Sequence, residues 1–325
     1  MSRRTLWLLL SAAALLLGSS CHPGARYRRS GAAGVSFVNG RGRPVDGRIF
    51  QDADAFHEGR ALVVVENQGG WIDRRGRLVI PAEFAVGGRF SEGRAMAAPR
   101  ADGPAGYLDR RGRWAVEPAF EKAGDFSEGL AAVTFSDGSA AYVDRRGRIA
   151  FHHEYDFAGP FRNGRALVVA DGLYGFINRR GREVVAPEYR FARSFSEGRA
   201  LVARSDLSGF VNRRGRLIIK MSLDYAASFR EGRALFVRDG QAGYLDRRGQ
   251  EVIPATWSWA ADFSEGLAPV DSGGKIGYID RRGRMRIPPR FAYAESFRNG
   301  RALVTEGDAV LMIDRRGREV WRDAP

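Results

Sequence analysis

Two short signatures alternate along almost the whole chain at a spacing of about 34 residues, and this repetition constrains the fold more than any other feature. The first signature is G-W-I-D-R-R-G-R in residues 70–77. It recurs at Asp73, Asp109, Asp144, Asn178, Asn212, Asp246, Asp280 and Asp314, with a degenerate first copy at Asn39. The second signature, F-S-E-G-R-A-L-V or a variant of it, is centred on Gly59, Gly93, Gly129, Gly164, Gly198, Gly232, Gly266 and Gly300. Such a chain is a tandem array of small units rather than two ordinary domains.

Each unit is expected to consist of short β-strands. The run after the second glycine, as in residues 60–65, is apolar, β-branched and too short for a helix, which predicts a strand. G-W-I-D predicts a second strand. A third strand, residues 78–80, is expected to end at Pro81, because proline cannot extend a central ladder. The stretch before the next F-S-E-G, as in residues 291–297, is expected to add a fourth short strand.

The D-R-R-G segment predicts a type I turn followed by a bulge. Asp73 stands at the first turn position, where its side chain can accept a hydrogen bond from the backbone two residues on. Gly76 stands where a left-handed residue is needed.

Both faces of the predicted strands are apolar. Leu62 and Val63 are neighbours, as are Trp71 and Ile72, and successive strand residues point to opposite faces of a sheet. Each small sheet must therefore be covered on both sides. Neighbouring repeats that stack face to face would supply that cover.

The combined pattern resembles the WG repeat family of bacteria, whose units run as W-G-[YF]-I-[DN]-x-x-G-x-x-V-I-P and continue to F-[ST]-E-G-[LR]-A. Residues 243–246 (G-Y-L-D), 252–254 (V-I-P) and 263–268 (F-S-E-G-L-A) carry the resemblance. It extends over about residues 34–322. The family tryptophan before the glycine is absent from every copy, and small residues, Tyr174 or aliphatic residues such as Ile276 replace it. The resemblance implies a repeat architecture and no particular activity.

We therefore predict an all-β fold of tandem units of about 34 residues, each with three to four strands. Four strands per unit favour a β-propeller-like ring, and an open β-solenoid is the alternative. Residues 34–322 would form eight full units and a leading half, and residues 323–325 a C-terminal tail.

The basic charge of the chain comes from arginine. The formal net charge is +14 with a pI of about 10.6, and only Lys122, Lys220 and Lys275 are lysines. Since equivalent turns of stacked repeats share one edge, a cationic rim able to bind an anionic glycan or lipopolysaccharide is expected. A competing interpretation is that exposed turns tolerate any polar residue and that a GC-rich genome favours arginine codons. The candidate binding residues are Arg74, Arg75, Arg110, Arg111, Arg145, Arg146, Arg179, Arg180, Arg213, Arg214, Arg281 and Arg282.

Catalytic and metal sites are not predicted. The acid or amide before each glycine of the second signature is interpreted as turn chemistry, because catalysis needs one or two carboxylates in distinct environments. These residues are Glu58, Glu92, Glu128, Asn163, Glu197, Glu231, Glu265 and Asn299. His152 and His153 are adjacent on a predicted strand and so point to opposite faces, and His22 and His57 lie apart from them. We expect no cofactor, with an enzyme or inhibitor whose site is unrecognised as an alternative.

The N-terminus predicts export. Residues 1–20 have a basic start, an apolar run over 5–17 and small residues at 18–20, as in a signal peptide, and the run is too short to span a bilayer. The only cysteine follows at once, and this arrangement resembles a bacterial lipobox, which implies that Cys21 is lipidated. Gly18 departs from the leucine preferred there. His22 in place of aspartate implies the outer membrane, and residues 21–33 read as a flexible tether.

These patterns together predict a non-enzymatic exported lipoprotein whose repeat array binds or organises a protein or envelope partner. The protein is expected to be a monomer attached to the outer membrane only through its lipid, facing the periplasm or the surface. A secreted soluble protein is the alternative. Nucleic acid is not an expected partner, because the aromatic residues are not interleaved with the arginines.

Overall fold

The computed structural model describes residues 26–29, 35–38 and 49–323, with side chains for 49–323. It divides into two compact units, Met1–Pro160 and Phe161–Pro325. The described residues form strands and turns without any helix, so no helix in this part could span a membrane. The predicted signal peptide, Cys21 and His22 lie outside the described residues.

The first unit contains a strand pair followed by three four-stranded sheets. In chain order its strands are β1 Arg26–Arg29, β2 Val35–Val38, β3 Asp52–Ala53, β4 Arg60–Val65, β5 Gln68–Asp73, β6 Leu78–Phe84, β7 Val86–Gly87, β8 Ala95–Ala98, β9 Ala105–Leu108, β10 Trp114–Phe120, β11 Lys122–Ala123, β12 Leu130–Thr134, β13 Ala140–Asp144, β14 Ile149–His153 and β15 Phe157–Ala158. β1 pairs with β2, and β1 falls within the segment assigned above to the tether. The three sheets are β3–β6, β7–β10 and β11–β14.

The second unit continues the same pattern. Its strands are β16 Arg165–Ala170, β17 Leu173–Asn178, β18 Glu183–Tyr189, β19 Phe191–Ala192, β20 Arg199–Arg204, β21 Leu207–Asn212, β22 Leu217–Leu223, β23 Tyr225–Ala226, β24 Ala234–Arg238, β25 Gln241–Leu245, β26 Glu251–Trp257, β27 Leu267–Ser272, β28 Lys275–Asp280, β29 Met285–Phe291, β30 Tyr293–Ala294, β31 Arg301–Glu306, β32 Ala309–Asp314 and β33 Glu319–Arg322. In β27–β29 a bridge between Ala260 and Val270 takes the place of the short first strand.

Every sheet is an open antiparallel meander in which neighbours in sequence are neighbours in space. In the four-stranded sheets, a two-residue strand forms one edge, two strands of four to six residues form the middle, and the strand after the D-R-R-G turn forms the other edge. The prediction of an all-β chain of tandem three- to four-stranded units is confirmed. The choice between a ring and an open array stays a prediction.

The strand after the first D-R-R-G turn does not end at the proline, so the prediction made for Pro81 is wrong. β6 runs through Pro81 to Phe84. The register of its pairing with β5 shifts around Pro81, since Trp71 lies opposite Ile80 whereas Gly69 lies opposite Phe84. Pro81 thus lies in a bulge of an edge strand, where its missing N–H leaves no ladder position unfilled.

The same bulge explains the glycine of G-W-I-D. A Cβ on Gly70 would lie 2.8 Å from the Ala82 nitrogen and 2.9 Å from the Ile80 oxygen, closer than real side chains come. The third sheet has Ala141 instead, and there the pairing is continuous from Ala140 to Tyr142, with Ala141 opposite His152. Glycine is therefore present where the edge strand bulges, and it is replaced where the strand is regular.

The core lies between successive sheets of a unit. One cluster joins Trp71, Ile80 and Phe84 of the first sheet to Phe90 and Leu108 of the second. Trp71 and Ile72 are each fully buried although they point to opposite faces. In the second sheet, Leu108 joins this cluster, while its neighbour Tyr107 packs in another cluster with Ala131 and Val133 of the third sheet. Sheets on both sides therefore cover β9, as expected.

Candidate functional site

The second signature folds into a two-residue hairpin turn, here called the E-G turn. In the first sheet the His57 N–H donates to the Arg60 oxygen at 2.7 Å, and the Arg60 N–H donates back at 2.9 Å. The two central residues, Glu58 and Gly59, both have positive φ, at 50° and 80°. This conformation is a type I′ turn, which suits the twist of a hairpin but is strained for glutamate.

The side chain of the E-G turn reaches the E-G turn of the next sheet. The Glu58 carboxylate accepts the Glu92 N–H at 2.7 Å and the Gly93 N–H at 2.8 Å. Partial burial raises the pKa of Glu58, but bonds from Gly93 and Arg110 outweigh it and hold the pKa below its ordinary value. The same bond recurs at 2.8–2.9 Å for Glu92 to Gly129, Asn163 to Gly198, Glu197 to Gly232, Glu231 to Gly266 and Glu265 to Gly300. These side chains are structural acceptors, in agreement with their interpretation as turn chemistry.

The D-R-R-G turns have the predicted geometry. The Gly76 N–H donates to the Asp73 carbonyl at 2.9 Å, and Gly76 has φ +81°. Asp73 Oδ1 accepts the N–H groups of Arg75 and Arg77 at 2.8 and 3.0 Å, while Oδ2 pairs with the Arg77 guanidinium at 2.7 Å. Partial burial raises the pKa of Asp73, yet the bonds from Arg77 and Arg75 lower it overall.

Both kinds of turn lie at the same end of each sheet, here called the turn edge. In the first sheet this follows from the register, because Arg60 after the E-G turn faces Asp73. The arginine after an E-G turn also crosses to the next sheet. Arg94 Nε donates to the Arg145 carbonyl at 3.1 Å, and Arg233 Nε donates to the Arg281 carbonyl at the same distance.

All twelve candidate arginines are exposed at turn edges. Arg74, Arg75, Arg110, Arg111, Arg145 and Arg146 belong to the first unit, and Arg179, Arg180, Arg213, Arg214, Arg281 and Arg282 belong to the second. Arg110 pairs with Glu58 at 3.0 Å. That pair borders a shallow depression, which is lined by Glu58, Glu92, Gly93, Arg94, Asp109, Arg110 and Arg111. The adjacent arginines of these turns are therefore exposed, and both the cationic rim and its binding role stay predictions.

A second contact between sheets comes from the aromatic residue of the G-Y-I-D strand. The Tyr244 hydroxyl donates to the Ala261 carbonyl at 2.7 Å, and the Tyr278 hydroxyl donates to the Glu295 carbonyl at 2.7 Å. Burial raises the pKa of both phenols far above the ordinary value, so they remain donors. Trp71 Nε1 makes the equivalent bond to the Gly88 carbonyl at 3.0 Å.

The described histidines do not come together. His57 begins an E-G turn, His152 is exposed on β14, and His153 is half-buried beside Tyr142 and Tyr155. Burial and the adjacent His152 lower the pKa of His153. Within residues 49–323, no group of three or more metal-ligating side chains is assembled.

A row of exposed aromatic residues was missed by the sequence reasoning. Phe191, Tyr225, Trp259 and Tyr293 each precede the phenylalanine of the second signature by four residues, in four consecutive repeats of the second unit. Each is between 38% and 46% exposed, while the alanine after it is buried. The 34-residue spacing of aromatic residues in this column was the available signal.

Comparison with known proteins agrees with this architecture. The family model described as "WG containing repeat" matches seven segments, residues 70–97, 106–137, 141–174, 174–204, 209–241, 243–275 and 276–308. No curated protein sequence matches the chain. A crystal structure of a eukaryotic initiation factor is similar at 12% identity and a TM-score of 0.60, over 93% of this chain and 96% of that one.

Two further solved structures are similar at lower TM-scores. The computationally designed Ika8 protein is 15% identical, with a TM-score of 0.44 over 82% of this chain and 94% of its own. BamB from Moraxella catarrhalis is 14% identical, with a TM-score of 0.44 over 79% and 94%. At these identities the likeness concerns the fold alone.

Proposed function

The chain belongs to the WG containing repeat family, and we propose that its repeat array is a non-enzymatic scaffold that binds a protein or envelope partner. The row of Phe191, Tyr225, Trp259 and Tyr293 carries this proposal. Monomeric soluble proteins rarely leave several large aromatic residues exposed in register, and such surfaces mark interaction sites. Aromatic side chains are also enriched at interfaces, because they bury a large area with few rotatable bonds.

The fold itself does not require an aromatic residue in this column. The equivalent residues of the first and second sheets are Asp52 and Val86, and that of the third is Lys122. All three occupy the first position of the same short strand, as Phe191 does in β19. The aromatic residues of the second unit are therefore extra to the architecture, which supports a role in binding.

A pull-down from cell-envelope extract tests this surface. The full-length protein and its Tyr225→Ser/Trp259→Ser variant would be compared, with Leu217→Ser/Met285→Ser as the control. Leu217 and Met285 are similarly exposed but lie on the opposite edge strands β22 and β29. A partner retained by the wild type and the control but lost from the Tyr225/Trp259 variant is expected. Equal retention by all three proteins would contradict the proposal.

A second candidate function is binding of an anionic glycan or lipopolysaccharide through the turn edges. It is supported by the exposure of both arginines in every D-R-R-G turn. Attraction between exposed charges weakens as salt screens them, so binding to an acidic polysaccharide should fall steeply with ionic strength. Absence of binding at low salt would remove this candidate.

Export and lipid anchoring form a separate part of the proposal. They are supported by the signal-like residues 1–20 and by Cys21 directly after them. We expect a monomer held at the outer membrane by lipid on Cys21, with a secreted soluble protein as the alternative. Globomycin, which blocks lipoprotein maturation, should leave an unprocessed precursor, and the Cys21→Ser variant should lose the lipid. Unchanged processing under globomycin would refute the anchor.

A further inference from the structure

The turn edge of the second unit departs from the repeat in its charge. Six of the eight D-R-R-G turns begin with aspartate, but the adjacent fourth and fifth repeats begin with Asn178 and Asn212. The E-G turn of the fourth repeat likewise has Asn163 in place of glutamate. Three carboxylates are therefore replaced by neutral amides within two neighbouring repeats.

The amides keep the shape of the turns. Asn178 Oδ1 accepts the Arg180 N–H at 2.8 Å, and Asn212 Oδ1 accepts the Arg214 N–H at 2.8 Å, the distance seen from Asp73 to Arg75. Asparagine thus fulfils the backbone role of aspartate. What changes is the charge.

The loss of charge leaves the neighbouring arginines without ion pairs. In the aspartate turns the last arginine is paired, as in Arg77 to Asp73 at 2.7 Å and Arg318 to Asp314 at 2.7 Å. Their counterparts in the asparagine turns, Arg182 and Arg216, form no side-chain hydrogen bond or ion pair with any residue in 49–323. Arg162, Arg179, Arg180, Arg213 and Arg214 also lack such a partner in that range, as do the central arginines Arg74 and Arg75 of the first aspartate turn, so the change in pairing is at Arg182 and Arg216.

One position shows directly what kind of group is missing. In the first two sheets the Glu58 carboxylate lies between the Gly93 N–H and the Arg110 guanidinium, at 2.8 and 3.0 Å. In the fourth and fifth sheets Asn163 keeps the bond to the Gly198 N–H at 2.8 Å. It offers no charged oxygen to Arg213, the counterpart of Arg110. The first repeat therefore places an oxyanion beside Arg110, whereas the fourth repeat leaves Arg213 without one.

Arg165, which follows the E-G turn of the fourth repeat, contacts both asparagine turns. It faces Asn178 in the pairing of β16 with β17, and its Nε donates to the Arg213 carbonyl at 2.9 Å. Burial and the charge of Arg213 lower the pKa of Arg165, which is the direction expected in a crowded cationic environment.

We propose that residues 162–165, 178–182 and 212–216 form a site for the phosphate groups of an envelope glycolipid or glycan. The site rests on the proposed binding role of the array and names the chemistry of one partner. Arginine is suited to it, because its planar fork can donate two parallel hydrogen bonds to one oxyanion. A phosphate monoester carries a charge of about −1.5 to −2 at neutral pH, more than the single charge of a carboxylate. Phosphate therefore matches the closely spaced arginines of the site better than carboxylate does.

Restoring the repeat's own carboxylates provides the test. The Asn178→Asp/Asn212→Asp variant introduces the residue that six other turns already contain, so the fold is expected to persist. Its matched control is Arg74→Gln/Arg75→Gln, which changes the net charge by the same amount at a turn in the first unit. Binding of sodium tripolyphosphate to the full-length proteins would be measured by titration calorimetry at low salt, after circular dichroism has confirmed folding.

The expected result is a loss of affinity of about tenfold or more for the Asn178/Asn212 variant, about 1.4 kcal/mol, with little change in the control. Equal losses in both variants would mean attraction by net charge alone and would overturn a localised site. Failure of the wild type to bind tripolyphosphate would overturn it too, as would tighter binding of polygalacturonate, a carboxylate polymer. These outcomes leave the envelope pull-down with the Tyr225/Trp259 variant unaffected, so the two proposals fail separately.

Discussion

The hydroxyl of the G-Y-I-D tyrosine offers a direct measure of how strongly one repeat holds the next. Tyr244 is fully buried, its hydroxyl donates to the Ala261 carbonyl at 2.7 Å, and its ring lies 4.8 Å from that of Phe263. In the repeat before it, Phe210 occupies the same position, with its ring 5.0 Å from Phe229. The two rings therefore pack alike, and the hydroxyl is the main difference.

Two opposite substitutions exploit this difference. Tyr244→Phe leaves a partly buried carbonyl without its donor and is expected to lower the free energy of unfolding by about 1–2 kcal/mol. Phe210→Tyr places a hydroxyl toward the carbonyl of Ala227, which stands 17 residues on, as Ala261 does from Tyr244. It is expected to raise the free energy of unfolding by about 0.5–1.5 kcal/mol, because a new hydrogen bond forms without a change of packing.

Urea unfolding of both variants beside the wild type gives the two free energies, provided that the m-value is unchanged. Hydrogen exchange of the Ala261 amide adds a local measurement, since that N–H donates to Pro269 in the same segment. Faster exchange is expected in Tyr244→Phe. If both variants unfolded at the wild-type urea concentration, the hydroxyl would contribute nothing and the reasoning would be refuted.

Three further predictions concern other contacts of the repeat. Burial raises the pKa of Tyr278, so only the unfolded chain ionises this phenol above pH about 10. Its contribution to stability should be constant below that pH and be lost above it, so urea midpoints should fall less above pH about 10 in Tyr278→Phe than in the wild type. Gly243→Ala would put a Cβ 2.7 Å from the Ala255 nitrogen and should cost about 1–3 kcal/mol in urea unfolding. The matched Ala141→Gly change, at a site without a bulge, should cost about 0.5–1 kcal/mol. Glu231→Ala removes the acceptor of the Gly266 N–H, so this amide should exchange its hydrogen faster than in the wild type. Glu231→Gln keeps an acceptor oxygen, so the amide should exchange more slowly than in Glu231→Ala.

The features that could be predicted from the sequence are those that depend on neighbours along the chain. Asp73 and Gly76 lie in one tight turn, so their roles follow from the rules of that turn. The course of β6 past Pro81 could not be predicted in this way. It depends on a bulge against β5, and that pairing arises only when two strands meet.

The role of the acid in the E-G turn was predicted only in part. Its repetition indicated turn chemistry, which the structure confirms for Glu58 at φ 50°. The bond from its carboxylate to Gly93 joins two repeats, and no local rule indicates such a contact. A usable clue was that this column contains both glutamate and asparagine, because the side-chain oxygen acceptor is the main property that the two share.

The bond from one E-G turn to the next has a consequence for how such a chain can evolve. Each repeat contains both partners of this hydrogen bond. Its acidic or amide side chain accepts from the next repeat, and its Gly N–H donates to the side chain of the preceding repeat. Duplicating or deleting a whole 34-residue repeat therefore creates a contact between repeats that already exists elsewhere in the chain. The number of units can change by recombination between copies without the invention of a new interface, while substitutions at exposed columns can give individual copies new specificities.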